Sequence, residues 1–130
     1  MLNALITASK RGVIIDVYVD RHFNVTSKNQ FNALKEKEFN SCCEYLSKQG
    51  LTLYVIKGVH SKLVMADNKH LSVGSFNWFS ASRNDQYKNL ETSLIYTGDL
   101  EKEIAIQKTF LQGRVHKKYE AKLNQIEVYE

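Results

Sequence analysis

The chain reads as an α/β protein, and two segments and their order carry that prediction. Val13 to Val19, VIIDVYV, is β-branched and nearly all apolar, as a strand buried in a parallel sheet should be. Leu51 to Ile56, LTLYVI, is a second strand candidate, and an amphipathic helical stretch lies between the two. Strand, helix, strand in that order is a βαβ unit, so the sheet is at least partly parallel. The 130 residues suit one domain around one core, with no internal repeat and no linker that would split the chain.

The remaining elements follow in order. Leu2 to Lys10 is a helix with Leu2, Leu5 and Ile6 on one side and Gly12 as its stop. Asp20 to Asn24 is a loop. Ser27 and Gln30 have capping-box spacing. The helix they would open carries Phe31, Leu34, Phe39, Cys42, Tyr45 and Leu46 on one stripe, and Gly50 ends it. Lys62 to Ala66 and His70 to Val73 are short strands around the turn cluster Asp67-Asn68-Lys69. Trp78 to Ala81 is a short helical turn, and Ser82 to Asn89 is a polar loop. Glu91 to Thr97 is another strand. Asp99 is the N-cap candidate of a C-terminal helix with Leu100, Ile104, Leu111 and Val115 inward, which Gly113 interrupts. The mixed-charge end from Arg114 onward is expected to fray.

Composition narrows the function classes. A net charge of +4 favours a polyanionic partner. No run approaches the roughly eighteen apolar residues of a membrane span. The N-terminus has no basic stretch followed by a long apolar core, so it does not read as a signal peptide. Cys42 and Cys43 are adjacent on a predicted helix, a spacing that suits neither a disulfide nor zinc. They read as reduced residues of a cytoplasmic protein without a membrane partner.

Residues 60–77, HSKLVMADNKHLSVGSFN, carry the chemistry. His60, Lys62, Asp67, Gly74, Ser75 and Asn77 stand in the pattern H-x-K, four residues, D, six residues, G-S-x-N. Six specified positions match by chance at a given start with a probability on the order of one in ten million or lower. On a strand, His60 and Lys62 would point to the same face. Gly74 lets backbone approach a ligand closely. Lys62 supplies charge, and Ser75 and Asn77 supply hydrogen bonds, so the group makes a phosphate site. Taken singly, each residue reads as structural, and for His22, His70 and His116 that reading stands. The joint spacing is what turns His60, Lys62 and Asn77 into site candidates. No histidine has a ligand-type spacing with Asp, Glu or Cys, so neither metal nor cofactor is expected.

This pattern resembles the signature of the phospholipase D superfamily, often called the HKD family. The likeness covers residues 2–110 and includes the upstream segment ALITASKRGVIIDVYVD. It implies a mixed, mostly parallel sheet flanked by helices on both faces. The family has one more strand and helix in front. The chain is therefore expected to lack that first strand, and to be a fragment of a longer protein or a minimal domain. GSFNWFSASR with the later ETSLIY resembles, more narrowly, nuclease domains at the C-terminus of some bacterial helicase-like proteins.

What the resemblance implies for chemistry is a metal-independent phosphodiesterase. The histidine, here His60, attacks phosphorus to form a phosphohistidine, and a second histidine protonates the leaving oxygen. Asp67 and Gly74 hold the hairpin. Glu91 stands where the family has an acid that hydrogen-bonds the nucleophilic imidazole. One motif per chain against two histidines points to a homodimer, or to a second motif elsewhere in a longer protein. Single-motif members are typically nucleases, so DNA or RNA is the expected substrate. Lys10, Arg11, Lys57, Lys69, Arg83 and Lys88 would flank the site, and Trp78, Phe79 and Tyr87 would stack on bases or pack in the core. The alternatives are a lipid phosphodiesterase and a non-catalytic nucleic-acid-binding module of a helicase-like protein.

Overall fold

The computed structural model of the chain describes residues 1–75 and 90–122. The expected turn at Trp78 to Ala81 and the loop to Asn89 lie outside the described residues, as does the end beyond Lys122. The chain divides into two compact units, one of residues 2–59 with the segment from Arg114 onward, the other essentially His60–Gly113.

The first unit begins with helix α1 (Leu2–Lys10), and strand β1 (Asp16–Asp20) follows. Helix α2 (Arg21–Val25) occupies the stretch expected as loop. Strands β2 (Thr26–Ser27) and β3 (Gln30–Phe31) form a small antiparallel hairpin. Its two central residues, Lys28 and Asn29, have φ of 51° and 60°, as a type I′ turn demands. Ser27 and Gln30 therefore pair across a hairpin and are not a capping box. Helix α3 (Ala33–Lys48) starts at Asn32 instead, whose side chain accepts from the Lys35 amide at 3.0 Å. Strand β4 (Thr52–Ile56) follows, and strand β8 (Val115–Tyr119) completes the unit where a fraying end was expected.

The sheet order is β1-β4-β8, with β1 parallel to β4 and β8 antiparallel to it. Val17 and Leu53 are register partners and so share a face. They join Cys43, Leu46 and Leu51 in the core, against which Leu2, Leu5 and Ile6 of α1 and Phe39 of α3 pack. Both helices thus cover the face that carries Val17 and Leu53. Helix α3 is rotated from the expected stripe: Cys43 and Leu46 are buried, while Leu34, Cys42 and Tyr45 are exposed. Burial pushes the Cys43 thiol up to about 11, with the neighbouring Cys42 adding to the shift.

The second unit is a three-stranded antiparallel sheet in the order β5 (Lys62–Ala66), β6 (His70–Gly74), β7 (Ser93–Thr97). Helix α4 (Glu101–Gln112) follows, with Ile104 and Leu111 buried. Its N-cap is Leu100, and Asp99, one residue earlier, accepts from the Glu101 amide at 3.4 Å. The helix ends at Gln112, so Val115 belongs to β8 rather than to the inward face of α4. Among the described strand pairs only β1 and β4 run parallel. The expected mostly parallel sheet is corrected to mixed pairing spread over separate sheets, because the motif strands form a local antiparallel hairpin.

Candidate active site

Strand register decides which motif residues meet. Lys62 pairs with Gly74, and Gly74 with Ser93, so the start of β5, the end of β6 and the start of β7 lie side by side. His60 and Ser61 lead into that edge, Ser75 leaves it, and Glu91 and Thr92 enter it. Four of the expected site residues, His60, Lys62, Ser75 and Glu91, thus belong to one end of one small sheet.

The strand β5 begins at Lys62, so His60 stands just before it rather than on it. His60 is exposed and Lys62 is half-buried. The Lys62 ammonium donates to the His60 carbonyl at 2.6 Å. An ammonium has three donors, so this bond ties the side chain beside the histidine and leaves charge and donors for an anion. The Ser75 hydroxyl donates to Glu91 Oε2 at 2.5 Å and accepts from the Thr92 amide at 3.2 Å. The Ser75 amide donates to the Thr92 carbonyl at 3.1 Å. Ser75 therefore binds the β7 approach to the β6 exit, and Glu91 is the carboxylate on that hydroxyl. Asn77 lies outside the described residues, as do Trp78, Phe79, Arg83, Tyr87 and Lys88.

Gly74 is glycine for a structural reason beyond ligand approach. The backbone of Thr92 and Ser93 comes so close that no Cβ fits. Asp67 works at the other end of the hairpin. It and Asn68 have φ of 54° and 55°, and the Lys69 amide donates to the Ala66 carbonyl at 3.0 Å. The Gly98 and Leu100 amides donate to the carbonyls of Lys69 and Asn68, both at 2.9 Å, so the turn is tied to the start of α4. A five-residue strand spans about 16 Å, which separates Asp67 and Lys69 from Lys62. Lys69 thus belongs to the turn and not to the flank of the site. A shallow hollow of about 470 Å³ also lies at this turn end, lined by Asp67–His70, Thr97–Asp99 and Glu101, and His60 is not among its lining residues.

His22, His70 and His116 are all exposed, and His70 Nδ1 lies 3.3 Å from Thr97 Oγ1, an ordinary cross-strand contact. Two residues that the sequence reading passed over hold the approach to the motif. Asp20 Oδ2 accepts from the amides of Gly58 and Val59 at 3.0 and 3.3 Å. Arg114 Nη1 donates to the carbonyls of Lys57 and Gly58, both at 3.3 Å. The one sequence signal for them was an acid closing an apolar strand, VIIDVYVD.

Comparison with known proteins adds the deciding finding. The family model described as cardiolipin synthase, phospholipase D-like domain, matches residues 1–112. The chain belongs to the phospholipase D superfamily. No curated protein and no solved structure matches it. Phosphodiesterase-type chemistry goes with such domains, and the sequence pattern that resembled the HKD signature falls inside the matched region. No helix among the described residues is long and apolar enough to cross a membrane.

Proposed function

We propose that this protein is a metal-independent phosphodiesterase, most specifically a nuclease, acting through a phosphohistidine in a site shared by two copies of the chain. The observation that carries the reading is the motif spacing of His60, Lys62 and Ser75, supported by a register that sets Lys62, Gly74 and Ser93 side by side and by the hydrogen bond from Ser75 to Glu91. His60 attacks phosphorus, forming a P–N bond as the P–O bond to the leaving group breaks. A second imidazole gives its proton to the leaving oxygen. That imidazole then takes a proton from water, which attacks phosphorus and releases His60. Lys62 and Asn77 neutralise and orient the phosphoryl oxygens. Ser75 and Glu91 fix the sheet edge, with Glu91 setting the imidazole tautomer. Lys62 supplies positive charge at the phosphate, so the chemistry needs no metal.

Single-motif members of the superfamily are typically nucleases, which favours nucleic acid over lipid, and the net charge of +4 suits a polyanionic substrate. In a longer protein, a helicase-like domain would deliver the strand. The test is incubation of single- and double-stranded DNA and RNA, and of cardiolipin-containing vesicles, with the protein in excess EDTA beside a His60→Ala control. Nucleic-acid cleavage should persist in EDTA and fall to near background in His60→Ala, with DNA binding held within about tenfold, because a nucleophile acts mainly in the transition state. Activity that needs added magnesium would overturn the metal-free mechanism. Turnover of vesicles alone would assign the lipid reading. Binding without turnover would make the protein a nucleic-acid-binding module.

A further inference from the structure

Two side chains, Asp20 and Arg114, bond the backbone of Lys57–Val59. Asp20 closes β1 and is the register partner of Ile56, which closes β4. Its carboxylate therefore stands beside the chain as it leaves β4. One oxygen takes two consecutive amides, those of Gly58 and Val59. The other oxygen is buried and has no hydrogen-bond partner among the described residues. Arg114, just before β8, spans the carbonyls of Lys57 and Gly58. The backbone polar groups of the segment are thus gripped from both sides, donors by an acid and acceptors by a base. Gly58 has φ of 74°, and a Cβ there would lie 3.1 Å from the Arg114 guanidinium. The grip needs this glycine and this close approach. The next residue in the chain after Val59 is His60.

We propose that Asp20 and Arg114 are positioning residues: they clamp residues 57–59 so that the chain presents His60 in one backbone conformation. This rests on the phosphodiesterase reading of His60. A nucleophile on an otherwise exposed approach segment loses its attack geometry if the segment samples several conformations. A displacement of about 1 Å is enough to cost on the order of a hundredfold in rate. Charge-assisted bonds to successive amides are the economical way to prevent that.

The experiment uses the full chain, with amide hydrogen exchange by NMR and turnover of bis(p-nitrophenyl) phosphate in EDTA. Asp20→Ala should speed exchange at Gly58 and Val59 by about tenfold or more, while Leu53 and Val55 in β4 stay slow. It should lower kcat by roughly ten- to a hundredfold with KM held within about threefold. Asp20→Asn retains one acceptor oxygen and should recover most of both effects. Arg114→Ala removes the one nitrogen that reaches both carbonyls and should give the same two effects. Since Arg114 is exposed, this variant gives the same readout if Asp20→Ala fails to fold. Unchanged exchange at Gly58 and Val59 would overturn the clamp. Faster exchange with unchanged kcat would overturn its positioning role. A wild-type protein that turns over no phosphodiester, yet shows the exchange response, would sink the phosphodiesterase reading and leave the clamp standing.

Discussion

A Cβ placed on Gly74 would lie 2.3 Å from Ser93 Oγ, 2.5 Å from the Thr92 carbonyl and 2.7 Å from Ser93 Cα. Two of those three atoms are backbone, so β7 itself would have to move. Gly74→Ala should destabilise the fold by about 1–3 kcal/mol, the usual cost of overpacking. It should also disturb the Ser75–Glu91 contact next door. Gly113→Ala is the control: its Cβ would meet only ordinary contacts at 3.6 Å, and the backbone is right-handed there. That change should be neutral or stabilising by up to about 1 kcal/mol. Thermal melts of the two variants check the pair, and equal losses would show that the β6–β7 approach is not tight. The motif made Gly74 visible in the sequence, but its partner did not show, because Ser93 is nineteen positions away and lies outside the motif. The cysteines divide at the same scale. Cys42 is exposed, whereas Cys43 is buried with its thiol pushed up to about 11. At pH 8, iodoacetamide should label Cys42 first and leave Cys43 largely unmodified, as read by peptide mass spectrometry. Equal labelling would contradict the burial of Cys43.

Among elements, those with strong periodicity were legible and those set by partners were not. Helix α1, with Leu2, Leu5 and Ile6 inward, and strand β4 follow directly from their patterns. Strand β8 was missed because VHKKY is polar at its centre; its pairing with β4 makes it a strand, and no local propensity does. The start of α3 was misplaced because Ser27 and Gln30 match a capping box by spacing alone. Lys28 and Asn29 turn the chain back first, and the helix opens at Asn32. The corrected boundary makes a prediction. Asn32→Ala removes the acceptor of the Lys35 amide and should cost about 1 kcal/mol. Ser27→Ala, on the hairpin, should change stability by less than about 0.5 kcal/mol. Urea denaturation of both variants decides it, and a larger loss for Ser27→Ala would restore the earlier boundary.

At the scale of the whole molecule, the proposed phosphohistidine mechanism needs two imidazoles, and the chain carries one motif. Of the four histidines, His22 and His116 lie outside the motif, and His70 falls within its span but is not one of its specified positions. His70 sits at the far end of β6 from Gly74, and its ring contacts Thr97. A second copy is the economical source, since a two-fold axis brings identical patches together. The expected active unit is a homodimer of twice the 15.0 kDa chain mass, measurable by light scattering. Its two His60 rings should face each other with nearest nitrogens roughly 5–7 Å apart, because attack and departure each need hydrogen-bond-scale approach to one phosphorus. Mixed dimers separate this arrangement from two independent sites. Wild-type and His60→Ala chains refolded together in equal amounts pair at random, giving roughly a quarter wild-type dimers and half mixed ones. A site that requires both imidazoles then retains roughly a quarter of the wild-type rate, whereas independent sites retain half. The lower value supports a shared site. Retention of half, or full activity from a monomer at assay concentration, would mean that each chain supplies both proton transfer and attack by itself.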